Sequence, residues 1–165
     1  MKNLFSIFLF ILLSLIFKVK AQEDAAKSYI TNLEGDDLTI LCTVQLDANN
    51  NLVGKFSTKN AAGYFTLNGR EYMFMANQIY LTSFNLNEFA IKWFQVFSDV
   101  SSNYFKQPVG IENGDDVYVC RRIIENKTVL CKLIGNVCYC PYFGQELPFF
   151  DSFDILYSAN RACDL

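Results

Sequence analysis

One short pattern occurs twice in this chain. GDDLTIL at Gly35–Leu41 returns as GDDVYVC at Gly114–Cys120, 79 positions on (35 to 114). Gly-Asp-Asp alone is ordinary turn chemistry, so the flanking residues decide what the recurrence means. LTILCTVQL, polar DANNN and LVGKFS follow the first; VYVCRRII, ENK and TVLCKLI follow the second. The next segments, GYFTLNGREYMF and CYCPYFGQELPFF, share Tyr64 with Tyr139, Gly69 with Gly144, Glu71 with Glu146 and Phe74 with Phe149, all 75 apart. Leu81 and Ser83 match Leu156 and Ser158 at the same spacing. A drift from 79 through 77 to 75 is what small loop deletions produce. A repeat constrains the whole fold, and the chain reads as one unit written twice, at about 34–83 and 93–158.

Within each unit the apolar period is two. Val117 and Val119 alternate with Tyr118 and Cys120, then Val129, Cys131 and Leu133 follow, and the breaks are Asn, Gly and Asp. That is strand patterning. Each unit is expected to be a three-stranded meander closed by a Gly-x-Glu bend and a final strand, QIYLTSF or FDILYSA. The 16 phenylalanines and nine tyrosines supply apolar faces for two such sheets to bury against each other. Asn85–Phe97 is the ambiguous stretch, and its Trp93–Phe97 part reads as strand. The expected fold is all-β: two tandem antiparallel meanders packed with pseudo-twofold symmetry.

The first 21 residues fall outside that domain. Lys2, an apolar run from Leu4 to Phe17 and Val19-Lys20-Ala21 read as a secretory signal peptide cut after Ala21. No later run reaches the roughly 20 apolar residues of a spanning helix. A soluble extracellular domain over 22–165, with a short C-terminal tail, is the expectation. Loss of Lys2, Lys18 and Lys20 takes the 14 basic residues to 11 against 17 acidic ones. That balance argues against nucleic acid as a partner.

Secretion sets the reading of the six cysteines, 42, 120, 131, 138, 140 and 163. An even count in an oxidising compartment implies disulfides, with a thiolate metal site the lesser reading. A tip at Glu125-Asn126 sets Cys120 opposite Cys131, and a tip at Gly135-Asn136 sets Cys131 opposite Cys140, on one face. Cys131 bonds only one of them; Cys120–Cys131 is the expected bridge, with Cys42 and Cys163 joining the rest or some thiols left free in the core. Asn126-Lys127-Thr128 is a glycosylation sequon at the same tip.

The chain has no histidine. Ser-His-Asp and Cys-His nucleophiles and His-ligated catalytic metals are excluded. Nor is there a strand followed by a glycine-rich phosphate loop. No cofactor or metal is expected. Paired carboxylates remain for glycosidase chemistry, Glu71 and Glu146 being the candidates; the competing reading has them closing their bends by accepting backbone N–H bonds.

The second unit, read from Trp93 as W…QPVG…GDDVYVCRR…CKL…CYCPYFGQE…FDILYSA, resembles the DM-nine repeat, and the two units together cover nearly all of 22–165. The resemblance implies a secreted, non-catalytic carbohydrate-binding protein of mannose-type lectin character, a role in innate recognition, and glycans or glycoproteins as partners, with a homodimer left open. It implies a site built from a lysine and a carboxylate near the junction of the repeats. The lysine carries over to Lys55 and Lys132, and the acid to Glu34 and Glu112. Tyr118 or Tyr142 would lie under the C–H face of the sugar. Three departures favour a secreted, disulfide-stabilised effector or interaction protein that has lost the sugar: Cys131 in place of the glycine before Lys132, Cys42 where the pattern has arginine, and a shortened acidic loop.

Overall fold

The computed structural model describes residues 27–85 and 89–160; the expected signal peptide and Cys163 lie outside them. Apart from one 3-10 turn at Ala76–Gln78, every regular element described is a strand. The first half contributes β1 (Lys27–Tyr29), β2 (Thr31–Glu34), β3 (Asp37–Asp47), β4 (Asn50–Ser57), β5 (Ala62–Leu67), β6 (Arg70–Met75), β7 (Tyr80–Leu81) and β8 (Ser83–Asn85). The second contributes β9 (Phe89–Gln95), β10 (Tyr104–Phe105), β11 (Gly110–Glu112), β12 (Asp115–Ile124), β13 (Lys127–Ile134), β14 (Val137–Tyr142), β15 (Gln145–Phe149) and β16 (Asp154–Asn160). Among the described residues no helix is long and apolar enough to cross a membrane.

The all-β expectation holds, and the sheet closes on itself. Its ring runs β12-β13-β14-β15-β6-β5-β4-β11 and back to β12. The two halves meet at two seams. At one, β11 pairs β12 through Gly110↔Val117 and β4 through Ile111↔Asn51. At the other, β15 meets β6 through Gln145↔Arg70. There Glu71 N–H donates to Gly144 O at 3.2 Å and Glu146 N–H to Gly69 O at 3.3 Å. Closure pairs edges that an open sheet would leave as unpaired donors and acceptors.

Three details differ from the sequence reading. The Gly-x-Glu segments are whole hairpins, so each half has a strand on either side of the glycine, β5–β6 and β14–β15. Phe89–Gln95 forms the strand in the ambiguous stretch and pairs along β16, four residues earlier than its expected start. Third, the pairings around the acidic turns correspond at a spacing of 78, not 79: Glu34↔Asp37 answers Glu112↔Asp115, and Leu41 answers Val119, while their partners Lys55 and Lys132 stand 77 apart. Gly35, at φ 68°, is the first residue of its two-residue turn, whereas Asn113 and Gly114, at 53° and 87°, fill both positions of theirs. Only the second turn needs two left-handed residues, so the glycine slides by one without moving the strands. Cys42 therefore matches Cys120, not Arg121.

Three apolar clusters are formed among the described residues. The central one joins the halves: Leu41 and Val53 from the first pack with Val117, Val119, Leu130 and Leu156 from the second. The outer face of each half carries its own, built differently. In the second half, Cys120 bonds Cys138 and Cys131 bonds Cys140. The predicted register is correct, since Cys120 does stand opposite Cys131, but the expected Cys120–Cys131 bridge does not form. Cys131 bonds its neighbour on β14 instead, and Cys120 reaches over to β14 as well. In the first half the sulfurs are replaced by one ring. A Cβ on Gly54 would come within 2.3 Å of Tyr64 O and 2.6 Å of the Phe65 ring, and one on Gly63 within 2.7 Å of the same ring. Phe65, fully buried, fills both notches. Cys42 has Gly63 where its counterpart Cys120 finds Cys138, and no thiol partner among the described residues; burial pushes its own thiol far above the ordinary value.

Candidate functional site

Strand alternation aims Lys55 inward. Val53, Lys55 and Ser57 share one face of β4, with Leu52, Gly54 and Phe56 on the other, and Val53 lies in the central cluster. Lys132 takes the corresponding place on β13, next to Leu130 of the same cluster. Glu34 and Glu112 end β2 and β11, one residue before each turn, which brings each carboxylate back over the lysine of its own half. All four predicted polar residues thus form two ion pairs. Their surroundings differ.

The Lys132 pair is closed. The Lys132 side chain is 1% exposed, and its ammonium donates to Glu112 Oε2 and to Thr66 O, the latter at 2.8 Å. It also lies 2.7 Å from Glu146 Oε1, an ion-pair contact. Two hydrogen bonds and this ion-pair contact surround the ammonium. Burial raises the Glu112 carboxyl above its usual range; Lys132 pulls it down and Glu146 pushes it up again.

The Lys55 pair is open. Nζ donates to Glu34 Oε1 at 2.9 Å and Oε2 at 2.7 Å, and no further acceptor for it is found among the described residues. One N–H and the outward lone pairs of the carboxylate face a groove of about 430 Å³ lined by residues of both halves. Lys55 and Glu34 are only 10% and 14% exposed. Burial raises the Glu34 carboxyl above its usual value against the opposing pull of Lys55. Tyr64, directly across the strand pair from Lys55, forms part of the wall and takes a hydrogen bond from Asn60 Nδ2 at 2.9 Å.

The opposite rim comes from the second half. Tyr142 donates to Glu125 Oε2 at 2.6 Å, and its ring sits 4.5 Å from that of Phe143. Phe143 is 83% exposed and holds φ at +49°. A bulky residue there stores of the order of 1–3 kcal/mol of strain; Asn68, its counterpart on the other hairpin, suits the conformation. An exposed, strained aromatic at the mouth of a polar groove offers a stacking face.

Of the predicted aromatics, then, Tyr142 lines the groove. Tyr118 does not: it is half-buried against the disulfide cluster, with Lys106 Nζ 5.0 Å from its ring. Glu71 and Glu146 each accept a backbone N–H through Oε2, at 2.6 Å, but from the glycine of the opposite hairpin, Gly144 and Gly69. They fasten the seam between the halves. Tyr64, Lys127 and Phe143 escaped the sequence reading as site residues; the hairpin register that opposes Lys55 to Tyr64 was the signal for the first. The Cys131, Cys138 and Cys140 sulfurs lie within 4.8 Å of one another, and disulfides explain that grouping. Asn126 is exposed at the tip between β12 and β13, as expected of an acceptor.

No protein-family model and no curated protein matches the sequence. Among solved structures the fold is similar to that of the nematode sperm cell motility protein MFP2B, with a TM-score of 0.61 and 15% identity. The likeness covers 83% of this chain and 43% of that one, so the chain spans less than half the length of its structural relative. At such low identity the likeness is one of fold alone.

Proposed function

We propose that this chain is a secreted, non-catalytic glycan-binding protein of DM-nine type, made of two diverged copies of one β unit, and that it takes a mannose-type sugar over Lys55 and Glu34. One observation carries the reading: a nearly buried lysine–carboxylate pair with a spare N–H forms the floor of an open groove whose rim is aromatic. Vicinal hydroxyls suit that floor, one accepting from the ammonium and one donating to the carboxylate, while Tyr142, Phe143 or Tyr64 covers the C–H face. Charge-assisted hydrogen bonds contribute roughly 1.5–3 kcal/mol each, and a few in an exposed groove support affinities near about 1 mM for a monosaccharide. Multivalent display raises that.

The two pairs are not equivalent in this reading. Lys132, Glu112 and Glu146 have become a structural cluster, leaving one sugar site per chain. Calorimetric titration of the chain and its Lys55→Met variant with methyl α-mannoside tests it. Binding by the parent at a stoichiometry near one, lost in the variant, supports the proposal; no binding by the parent, or equal binding by the variant, ends it. The closed second pair also suits an interaction protein that no longer binds sugar. Capture of a protein ligand undisturbed by excess mannoside would favour that reading.

A further inference from the structure

The glycosylation sequon stands at the rim of the groove. Asn126 is the second residue of the Glu125-Asn126 turn, both at positive φ (49° and 62°), and is exposed. Its two chain neighbours adjoin the groove: Glu125 accepts the hydrogen bond of Tyr142, a lining residue, and Lys127 lines the wall, its Cε 3.7 Å from where a Cβ on Gly35 would stand. We infer that an N-linked glycan on Asn126 folds back into the groove and occupies it as a tethered ligand, so that glycosylation sets how much free sugar the protein binds. This rests on the sugar site proposed above. The modification itself is a transfer in which Asn126 Nδ2 loses a proton and bonds C1 of an oligosaccharide, whose lipid diphosphate carrier departs. The core so attached contains mannose, the sugar class proposed for the groove.

A tether supplies an effective concentration of the order of millimolar. Against a monosaccharide dissociation constant near 1 mM, a tethered sugar at several millimolar weakens an external one by roughly fivefold. It does so with no change in the protein itself.

Two lysines separate a glycan in the groove from one waving in solvent. Lys127 adjoins the sequon and is shielded by any glycan. Lys59, on the first-half wall and paired with Asp36, has a side chain 58% exposed, and a glycan lying in the groove shields it. The test compares the chain secreted by a glycosylating eukaryotic host with its Asn126→Gln and Thr128→Val variants. Thr128→Val removes the sequon and leaves the turn residues untouched. Intact mass reports occupancy, amine acylation reports Lys59 against remote Lys106, and calorimetry reports methyl α-mannoside binding. Expected are an occupied Asn126, several-fold slower labelling of Lys59 in the glycoprotein, and roughly fivefold tighter mannoside binding by both variants. An unoccupied Asn126 overturns the inference, and so does Lys59 labelling that is equal in all three proteins. If Lys59 is shielded but no form binds mannoside, the sugar-site proposal falls while occupation of the groove by the glycan stands. Binding of mannoside by all three proteins with equal affinity keeps the sugar site and overturns the glycan as its competitor.

Discussion

Lys132→Met is the sharpest perturbation the structure offers, because the lysine is 1% exposed and holds two carboxylates. Methionine keeps most of the volume and removes the charge. Glu112 is then left buried beside Glu146 without its counter-ion, and breaking a buried pair from one side costs about 3–5 kcal/mol. In a domain of this size each kcal/mol moves Tm by about 2–4 °C, so a fall of about 10 °C is expected at pH 7. The sign of the pH dependence follows from Glu112. Its carboxyl already sits above the ordinary value because of burial, and loss of Lys132 removes the main influence lowering it. An acid raised in the folded state favours folding below its unfolded pKa and forfeits that as pH rises through the folded one. The deficit of Lys132→Met should therefore shrink as pH falls toward about 4.5, the usual carboxyl value. Urea denaturation at several pH values measures it. Adding Glu112→Gln and Glu146→Gln should restore most of the loss, and mannoside binding should persist throughout. A deficit below about 1 kcal/mol at pH 7, or one independent of pH, would refute the assignment of Lys132 as a desolvated structural cation.

Other outcomes are open to direct measurement. Non-reducing peptide mapping should yield Cys120 joined to Cys138 and Cys131 joined to Cys140, and no Cys120–Cys131 peptide; opening the 18-residue Cys120–Cys138 loop by serine substitution should cost about 3 kcal/mol. Sugar binding should weaken in acid through a pH above 4.5, because the Glu34 carboxyl is raised by burial and must be ionised to hold Lys55 and accept a hydroxyl; an affinity unchanged down to pH 4 contradicts that role. Phe143→Asn places a residue suited to positive φ before Gly144. It should stabilise the chain by about 1 kcal/mol and weaken mannoside binding severalfold, and a variant that binds as well as the parent removes Phe143 from the site.

Much of this arrangement could be read from one sequence, for reasons that are local. Two-residue periodicity and turn residues fixed the strands of the β12–β13–β14 hairpins, and with them the opposition of Cys120 to Cys131. Which sulfurs bond was not legible, because register sets Cα neighbours and leaves the reach across β13 to twist and side-chain rotation. The lysine and glutamate positions followed from the repeat and the family resemblance. That Lys55 faces a groove while Lys132 is sealed depends on Glu146 Oε1 turning to Lys132 from the neighbouring strands, a difference between two near-identical motifs. That Cys42 has no bridge among the described residues needed the register too, since Gly63 stands where the other half has Cys138, the partner of Cys120.

The proposed sugar site is most directly tested by a crystal structure of the Asn126→Gln chain with methyl α-mannoside. The account predicts one sugar per chain, with vicinal hydroxyls on Glu34 and Lys55 Nζ, an aromatic ring of the rim against its C–H face, and nothing at Lys132. A sugar bound elsewhere, or a groove that stays empty at saturating mannoside, would contradict it.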